Sequence, residues 1–350
     1  MTVLLDVRDL RTWFDTPAGV VHAVDGVSFT LDRGRTLGVV GESGSGKTVL
    51  ARSIMNLLPR RMVIPAGGEV LFDGQDIRGL GVRPMRRLWG REVAMVFQDP
   101  MTSLNPVVKI GRQITESLRH HLHMSRSEAR ATAVALLDSV GLPAPQRRMD
   151  EYPHQLSGGM RQRVTVAIAL ACGPKLLIAD EPTTALDVTV QRQILDLLQT
   201  QQRDRHMAMI LVTHDLAVVA NRTDEIMVMY AGQVVERAPT ARLFGAMRHP
   251  YTEALLEAIP RIENPSHTEL RVIPGRPPSP LALPPGCRFA PRCRYATDRC
   301  RTEEPPLVED QPGHAFRCFH PVDVAGVAGA AGAAAADPGA DGAADHEVSV

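Results

Sequence analysis

No apolar run in these 350 residues approaches the roughly 20 that a membrane-spanning helix needs. The longest, such as Ala208 to Thr213, are strand-sized. The N-terminus has no basic segment followed by an apolar stretch, so no secretory signal is expected and the cytoplasm is the expected compartment. An excess of one charge is missing too. Lys+Arg and Asp+Glu both number 39, which gives no pointer to a nucleic-acid partner. Cysteine is scarce: there are five, and four fall between Cys287 and Cys318. In a cytoplasmic chain these read as thiols or metal ligands rather than disulfides. No internal repeat is visible, so the chain carries one copy of its main unit.

What is present suits a folded protein, with 44% hydrophobic and 22% charged residues. Residues 3–35 read as short strands with turns. An apolar strand, Thr36 to Val40, leads into a Gly-rich loop and a helix from about Lys47 to Leu58. Strand-like patches recur at Glu69 to Phe72 and Val93 to Phe97. From about Gly111 to Gly141 the pattern is helical, with Ser125-x-x-Glu128 as a capping box. Lys175 to Ala179 and Ala208 to Thr213 then read as strands, alternating with helices at Val188 to Arg203 and Leu216 to Asn221. That alternation predicts an α/β core with a partly parallel sheet. Residues 260–287 are rich in proline, which suits extended, irregular chain. After Pro321 the sequence is mostly Ala, Gly and Asp and predicts disorder.

Three features carry chemistry. Gly41-Glu42-Ser43-Gly44-Ser45-Gly46-Lys47-Thr48 fits the phosphate-binding loop G-x-x-x-x-G-K-[ST], and it stands between a strand and a helix as that loop must. Its glycines let backbone N–H groups curl around phosphate oxygens. Lys47 is placed to reach the β- and γ-phosphates, and the Thr48 hydroxyl to bind magnesium. The second feature is Leu176-Leu177-Ile178-Ala179-Asp180-Glu181, an apolar strand ending in two carboxylates. Asp180 would hold magnesium through water, and Glu181 would accept a proton from the attacking water. The third, Ser157-Gly158-Gly159, could by itself be any turn before a helix.

Together these resemble the ABC ATPases. Leu156-Ser157-Gly158-Gly159-Met160-Arg161-Gln162-Arg163 resembles the family's signature. Met160 stands where many members have Gln, which leaves the Ser and Gly donors intact. Gln98 follows its strand as the Q-loop glutamine does, Ala185-Leu186-Asp187 resembles the D-loop, and His214 follows its strand as the switch histidine does. The resemblance implies an ABC-type P-loop ATPase core with an N-terminal antiparallel β subdomain and an inserted helical subdomain. Its implied extents are 1–250 for the nucleotide-binding domain (helical part about 99–170), 251–321 for a small irregular cysteine-bearing extension and 322–350 for the tail. It also implies that ATP sits between the phosphate loop of one cassette and the signature of another, where Ser157, Gly158 and Gly159 would offer N–H groups and a helix dipole to phosphate. Gln98 would then contact magnesium and the attacking water, and His214 would hold the γ-phosphate and orient the water. The family stacks adenine on an aromatic residue upstream of the phosphate loop; Phe14 is the first choice and Trp13 the alternative.

Phe97-Gln98-Asp99-Pro100-Met101-Thr102-Ser103-Leu104-Asn105-Pro106 and Arg248-His249-Pro250-Tyr251-Thr252 narrow the resemblance to the dipeptide/oligopeptide/nickel importer group. It implies a second, related but different ATPase chain, two membrane permease subunits and an extracytoplasmic solute-binding protein, with this chain peripheral on the cytoplasmic face of the membrane. Nickel and glutathione-like solutes are alternatives to peptides. A non-transport ABC protein is a further one, although such proteins carry two cassettes or a long coiled-coil insertion.

Cys172 follows an apolar helix and reads as an inert core thiol. The spacing Cys287-x5-Cys293-x6-Cys300-x17-Cys318 fits neither the usual zinc pairs nor common ferredoxin patterns, so zinc, an iron–sulfur cluster and free thiols all stay open. Few apolar residues and many arginines (288, 292, 294, 299, 301) favour a bound centre. The arginines are expected to lower thiolate pKa values. The resemblance adds that some peptide-importer ATPases carry a [4Fe–4S] cluster here. A structural or sensing role is expected, because the site is distant in sequence from every ATP motif.

Overall fold

The computed structural model describes residues 2–59, 61–64, 66–184, 186–259 and 273–322. The Ala/Gly-rich tail beyond 322, Ala185 of the D-loop and residues 260–272 lie outside the described residues.

Strand Thr36–Val40 is buried at all five positions because it lies inside an eight-stranded sheet. The order is Val308–Gln311, His314–Phe316, Gln233–Pro239, Glu225–Tyr230, Thr36–Val40, Ala208–Thr213, Leu176–Asp180, Val93–Val96. The run from Glu225–Tyr230 to Val93–Val96 is parallel. Such strands are covered on both faces, which is why they read as continuous apolar runs rather than alternating ones. Side chains still alternate in direction. Leu177, Ala179 and Leu211 join one core with the helices, while Leu176, Ile178 and Ile210 join a second core with the N-terminal sheet.

That second sheet is antiparallel. Its long hairpin, Val3–Thr16 with Gly19–Asp32, replaces the short strands that the sequence suggested, and β-bulges at four points hide the alternation. Helices Ile110–Leu122, Arg126–Ser139 and Gly158–Leu170 form the inserted helical part around Ile114, Leu118, Ala133, Leu137 and Val164. The expected capping box is present: the Ser125 side chain accepts from Glu128 N–H, and the Glu128 side chain accepts from Ser125 N–H. Among the described residues no helix is long and apolar enough to cross a membrane.

The extension is irregular from 273 onward except for short helical turns, and it ends in the hairpin Val308–Gln311/His314–Phe316. This hairpin is stitched onto Gln233–Pro239 through Glu236↔Phe316 and Arg237↔Ala315. His314 Nε2 lies 2.8 Å from Glu236 Oε1, and both side chains are buried.

Candidate active site

The four parallel strands Thr36–Val40, Val93–Val96, Leu176–Asp180 and Ala208–Thr213 end on one edge of the sheet. The segments that leave them carry the phosphate loop, Gln98, Glu181 and His214. Open α/β sheets bind ligands at this carboxyl edge. A cavity of about 300 Å³ lies here, lined by the loop residues 42–48, Gln98 and Glu181.

The loop is a tight cradle. Gly46 has φ 102, and a Cβ there would stand 2.2 Å from the Ala23 carbonyl oxygen. Lys47 Nζ is buried; it donates to the carbonyls of Gly41 (2.7 Å) and Glu42 (3.0 Å) and lies 3.8 Å from Glu181 Oε1. Burial pushes its pKa down, against the pull of Glu181 and Asp180. The Thr48 hydroxyl donates to Asp180 Oδ1 at 3.0 Å. Asp180 is fully buried, and its Oδ2 has no partner among the described residues. Burial raises its pKa. A buried acceptor without a donor, beside a hydroxyl and a lysine, fits a divalent cation.

Glu181 adopts φ 46, a left-handed conformation that a non-glycine residue takes only under constraint. It turns the carboxylate away from the strand and into the cavity. Oε2 accepts from Gln98 Nε2 (3.2 Å) and Thr184 Oγ1 (3.0 Å), and His214 Nδ1 lies 3.3 Å away. The structure therefore joins Lys47, Thr48, Gln98, Asp180, Glu181 and His214 in one site.

The signature stands elsewhere. Ser157 caps its helix by accepting from Met160 N–H at 3.3 Å. Ser157 and Gly158 are exposed, and none of Ser157, Gly158 and Gly159 lines the cavity. Phe14 is not a lining residue either. His22 lines the cavity instead, with Trp13 stacked against its ring at 4.2 Å between centroids. His22 and the prolines 277, 278 and 280 of the extension were not picked out from the sequence. Pro280 reaches the site by accepting from His22 N–H at 3.4 Å. The pairing of Trp13 with His22 across the hairpin was the only available signal, and bulges obscured it.

The four thiols Cys287, Cys293, Cys300 and Cys318 line one small, mainly apolar cavity. Backbone N–H groups of Tyr295 and His320 donate to the sulfurs of Cys293 (3.4 Å) and Cys318 (3.3 Å). The arginines do not act as the sequence suggested. Arg288 pairs with Asp25, Arg292 with Glu42, Arg294 with Glu253 and Glu257, and Arg299 with Glu303. With those charges neutralised, burial dominates: it raises the thiols of Cys287 and Cys293 and pushes Cys318 up to about 12. Among the described residues no group of three or more His, Cys, Asp or Glu is arranged to hold a metal ion. Cys172 is half-buried and directs its sulfur at the Ser117 carbonyl, as an inert thiol would.

Comparison with known proteins agrees with this geometry. The ABC transporter family model matches residues 24–184, and the model for the oligopeptide/dipeptide transporter C-terminal region matches 235–300. The oligopeptide transport ATP-binding protein OppD of Bacillus subtilis is 48% identical over 323 residues, covering 92% of this chain and 90% of that one. The dipeptide transport ATP-binding protein DppD of Escherichia coli is 49% identical over 325 residues, covering 92% and 98%. Among solved structures, the dimeric post-hydrolysis state of the ATP-binding cassette MJ0796 bound to ADP and Pi is 26% identical with TM-score 0.61, covering 68% of this chain and 99% of that one.

Proposed function

The chain belongs to the ABC transporter family, in its oligopeptide/dipeptide branch, and is an ATPase; on that premise we propose that it powers the import of di- and oligopeptides through separate membrane subunits. Glu181 carries the mechanistic reading. Its carboxylate faces the cavity beside the phosphate loop and is held there by Gln98, Thr184 and His214. In that position it accepts a proton from the attacking water. Gln98 and His214 orient that water, and His214 also donates to the γ-phosphate. Lys47 exchanges its two backbone carbonyls for phosphate oxygens, and the loop N–H groups hold the rest. Thr48, Asp180 and Gln98 would hold magnesium, which when bound supplies positive charge against the phosphates. His22, with Trp13 stacked against it, is positioned to take the base, and Phe14 is the next residue along the strand of Trp13.

Ser157, Gly158 and Gly159 complete the site of a second cassette. The exposure of Ser157 and Gly158, away from this chain's own cavity, supports that role, as does the dimeric state of the solved cassette. The partner is a related, non-identical ATPase. The pair sits on the cytoplasmic face below two permease subunits, which receive peptides from an extracytoplasmic binding protein. Glu181→Gln tests the mechanism. Turnover should fall by about 10²–10⁴-fold, while ATP-dependent pairs persist in size-exclusion chromatography. Unchanged hydrolysis removes Glu181 from the base role. Uptake of a labelled dipeptide, lost in the same variant and competed by peptides but not by nickel or glutathione, tests the solute.

The four thiols are proposed to hold a [4Fe–4S] cluster. Support comes from the space they share and from the N–H donors at Cys293 and Cys318. Iron and sulfide in equal amounts, with broad visible absorbance after anaerobic purification, would support it. Zinc or no metal would overturn it.

A further inference from the structure

The cysteine-bearing segment is distant from the phosphate loop in sequence but touches it in space. Arg292, the residue before Cys293, is buried and sends both terminal nitrogens to Glu42: Nη1 to Oε2 at 2.6 Å and Nη2 to Oε1 at 3.0 Å. Within the extension it is anchored by its Nε, which donates to the Pro274 carbonyl at 2.8 Å. Glu42 is the second residue of the phosphate loop. Its N–H donates to the Tyr251 hydroxyl at 2.8 Å, and its carbonyl accepts from Lys47 Nζ at 3.0 Å. A guanidinium fixed by the extension therefore grips the residue whose own carbonyl holds the phosphate-binding lysine.

A parallel link runs through Arg288, which pairs with Asp25 and donates to the Ala231 carbonyl at 2.6 Å. The next residue, Gly232, donates its N–H to the Ser45 carbonyl of the same loop at 2.9 Å. A two-pronged guanidinium–carboxylate pair fixes orientation as well as distance, which a single ammonium does not. It also cancels the charge of Glu42, which would otherwise stand unpaired beside a site for polyphosphate.

We infer that Arg292 is a positioning residue for ATP binding: through Glu42 it holds the phosphate loop in its receiving shape and ties nucleotide affinity to the folded state of the four-cysteine segment. This rests on the loop being the ATP site and is independent of whether the cysteines hold a metal. The test uses the full chain and measures MgATP affinity by equilibrium binding, ATPase KM and kcat, and melting temperature. Arg292→Gln should weaken affinity and raise KM about tenfold, as loss of a charged hydrogen-bond pair does, with kcat kept within about threefold. Adding Glu42→Gln should recover part of that loss, because the unpaired carboxylate is gone. Arg292→Lys keeps the charge but not the fork and should lose about threefold at an unchanged melting temperature. Affinity within twofold of wild type in Arg292→Gln, or a loss that Glu42→Gln does not relieve, overturns the inference. If Arg292→Gln fails to fold, Arg292→Lys decides: unchanged affinity overturns it. Lys47→Ala serves as the separate control, since MgATP binding unaffected by that change would sink the ATP-site reading itself.

Discussion

A Cβ at Gly159 would stand 2.7 Å from Val190 Cγ1, where carbon atoms normally keep 3.5–4.0 Å. Gly159 lies in the first turn of Gly158–Leu170, and Val190 lies in the first turn of Val188–Arg205. Valine in a helix is confined to one main rotamer, so it cannot swing aside, and the helices must separate instead. Overpacking of this kind costs about 1–3 kcal/mol, and the better helix propensity of alanine offsets up to about 1 kcal/mol. Gly159→Ala should therefore destabilise the chain by about 1–2 kcal/mol, a fall of about 1–3 °C in melting temperature for a chain of this length. Scanning calorimetry on Gly159→Ala, Val190→Ala and the double variant separates the cause. The double should melt above the sum of the single losses, because Val190→Ala vacates the space that the new methyl needs. It should also hydrolyse ATP within a few-fold of wild type, since alanine keeps the backbone N–H. Strict additivity would refute the packing argument. Restored melting without restored turnover would show that phosphate approach, and not Val190, demands glycine here.

Asp180→Asn should raise the melting temperature of the nucleotide-free protein, because burial disfavours the ionised carboxylate, and it should abolish the shift that MgATP gives the wild type. His22→Ala should raise the ATP KM about 5- to 150-fold, the range of lost base stacking, while Phe14→Ala changes it less than twofold; the reverse ranking would restore Phe14 as the base platform. Cys172 should react slowly with iodoacetamide at pH 8, because burial raises its pKa and leaves little thiolate; its rate, followed by peptide mass mapping, should still be climbing above pH 9. A chain ending at residue 300 should aggregate in light-scattering assays, since Gln233–Pro239 would become an open edge of the sheet.

Local chemistry was readable. Gly41 to Thr48, the carboxylates Asp180 and Glu181, and the Ser125 cap each depend on neighbours a few residues away, and the structure places them as the spacing suggests. What failed to show depends on partners far along the chain. Glu225–Tyr230 and Gln233–Pro239 were not read as strands, although Ala231 (φ 46) and Gly232 (φ 87) form the kind of two-residue turn that hairpins favour. His22 is not legible from the sequence because register shifts in the hairpin change which side chains face the cavity. The arginines beside the cysteines read as a field around the thiols. Two of them, Arg292 and Arg288, instead pair with Glu42 and Asp25, some 250 residues earlier and beyond any local pattern.

The hairpin that closes the main sheet also sets a schedule for synthesis. Strand Gln233–Pro239 leaves the ribosome about 70 residues before Val308–Gln311. At about 5–20 residues per second, that leaves roughly 4–14 s in which the sheet has an unpaired edge and the Glu236 carboxylate waits for His314. During that interval the nascent chain presents a strand to any other chain nearby, so its yield in a cell should depend on how quickly ribosomes clear residues 240–316 and on what shields that edge meanwhile.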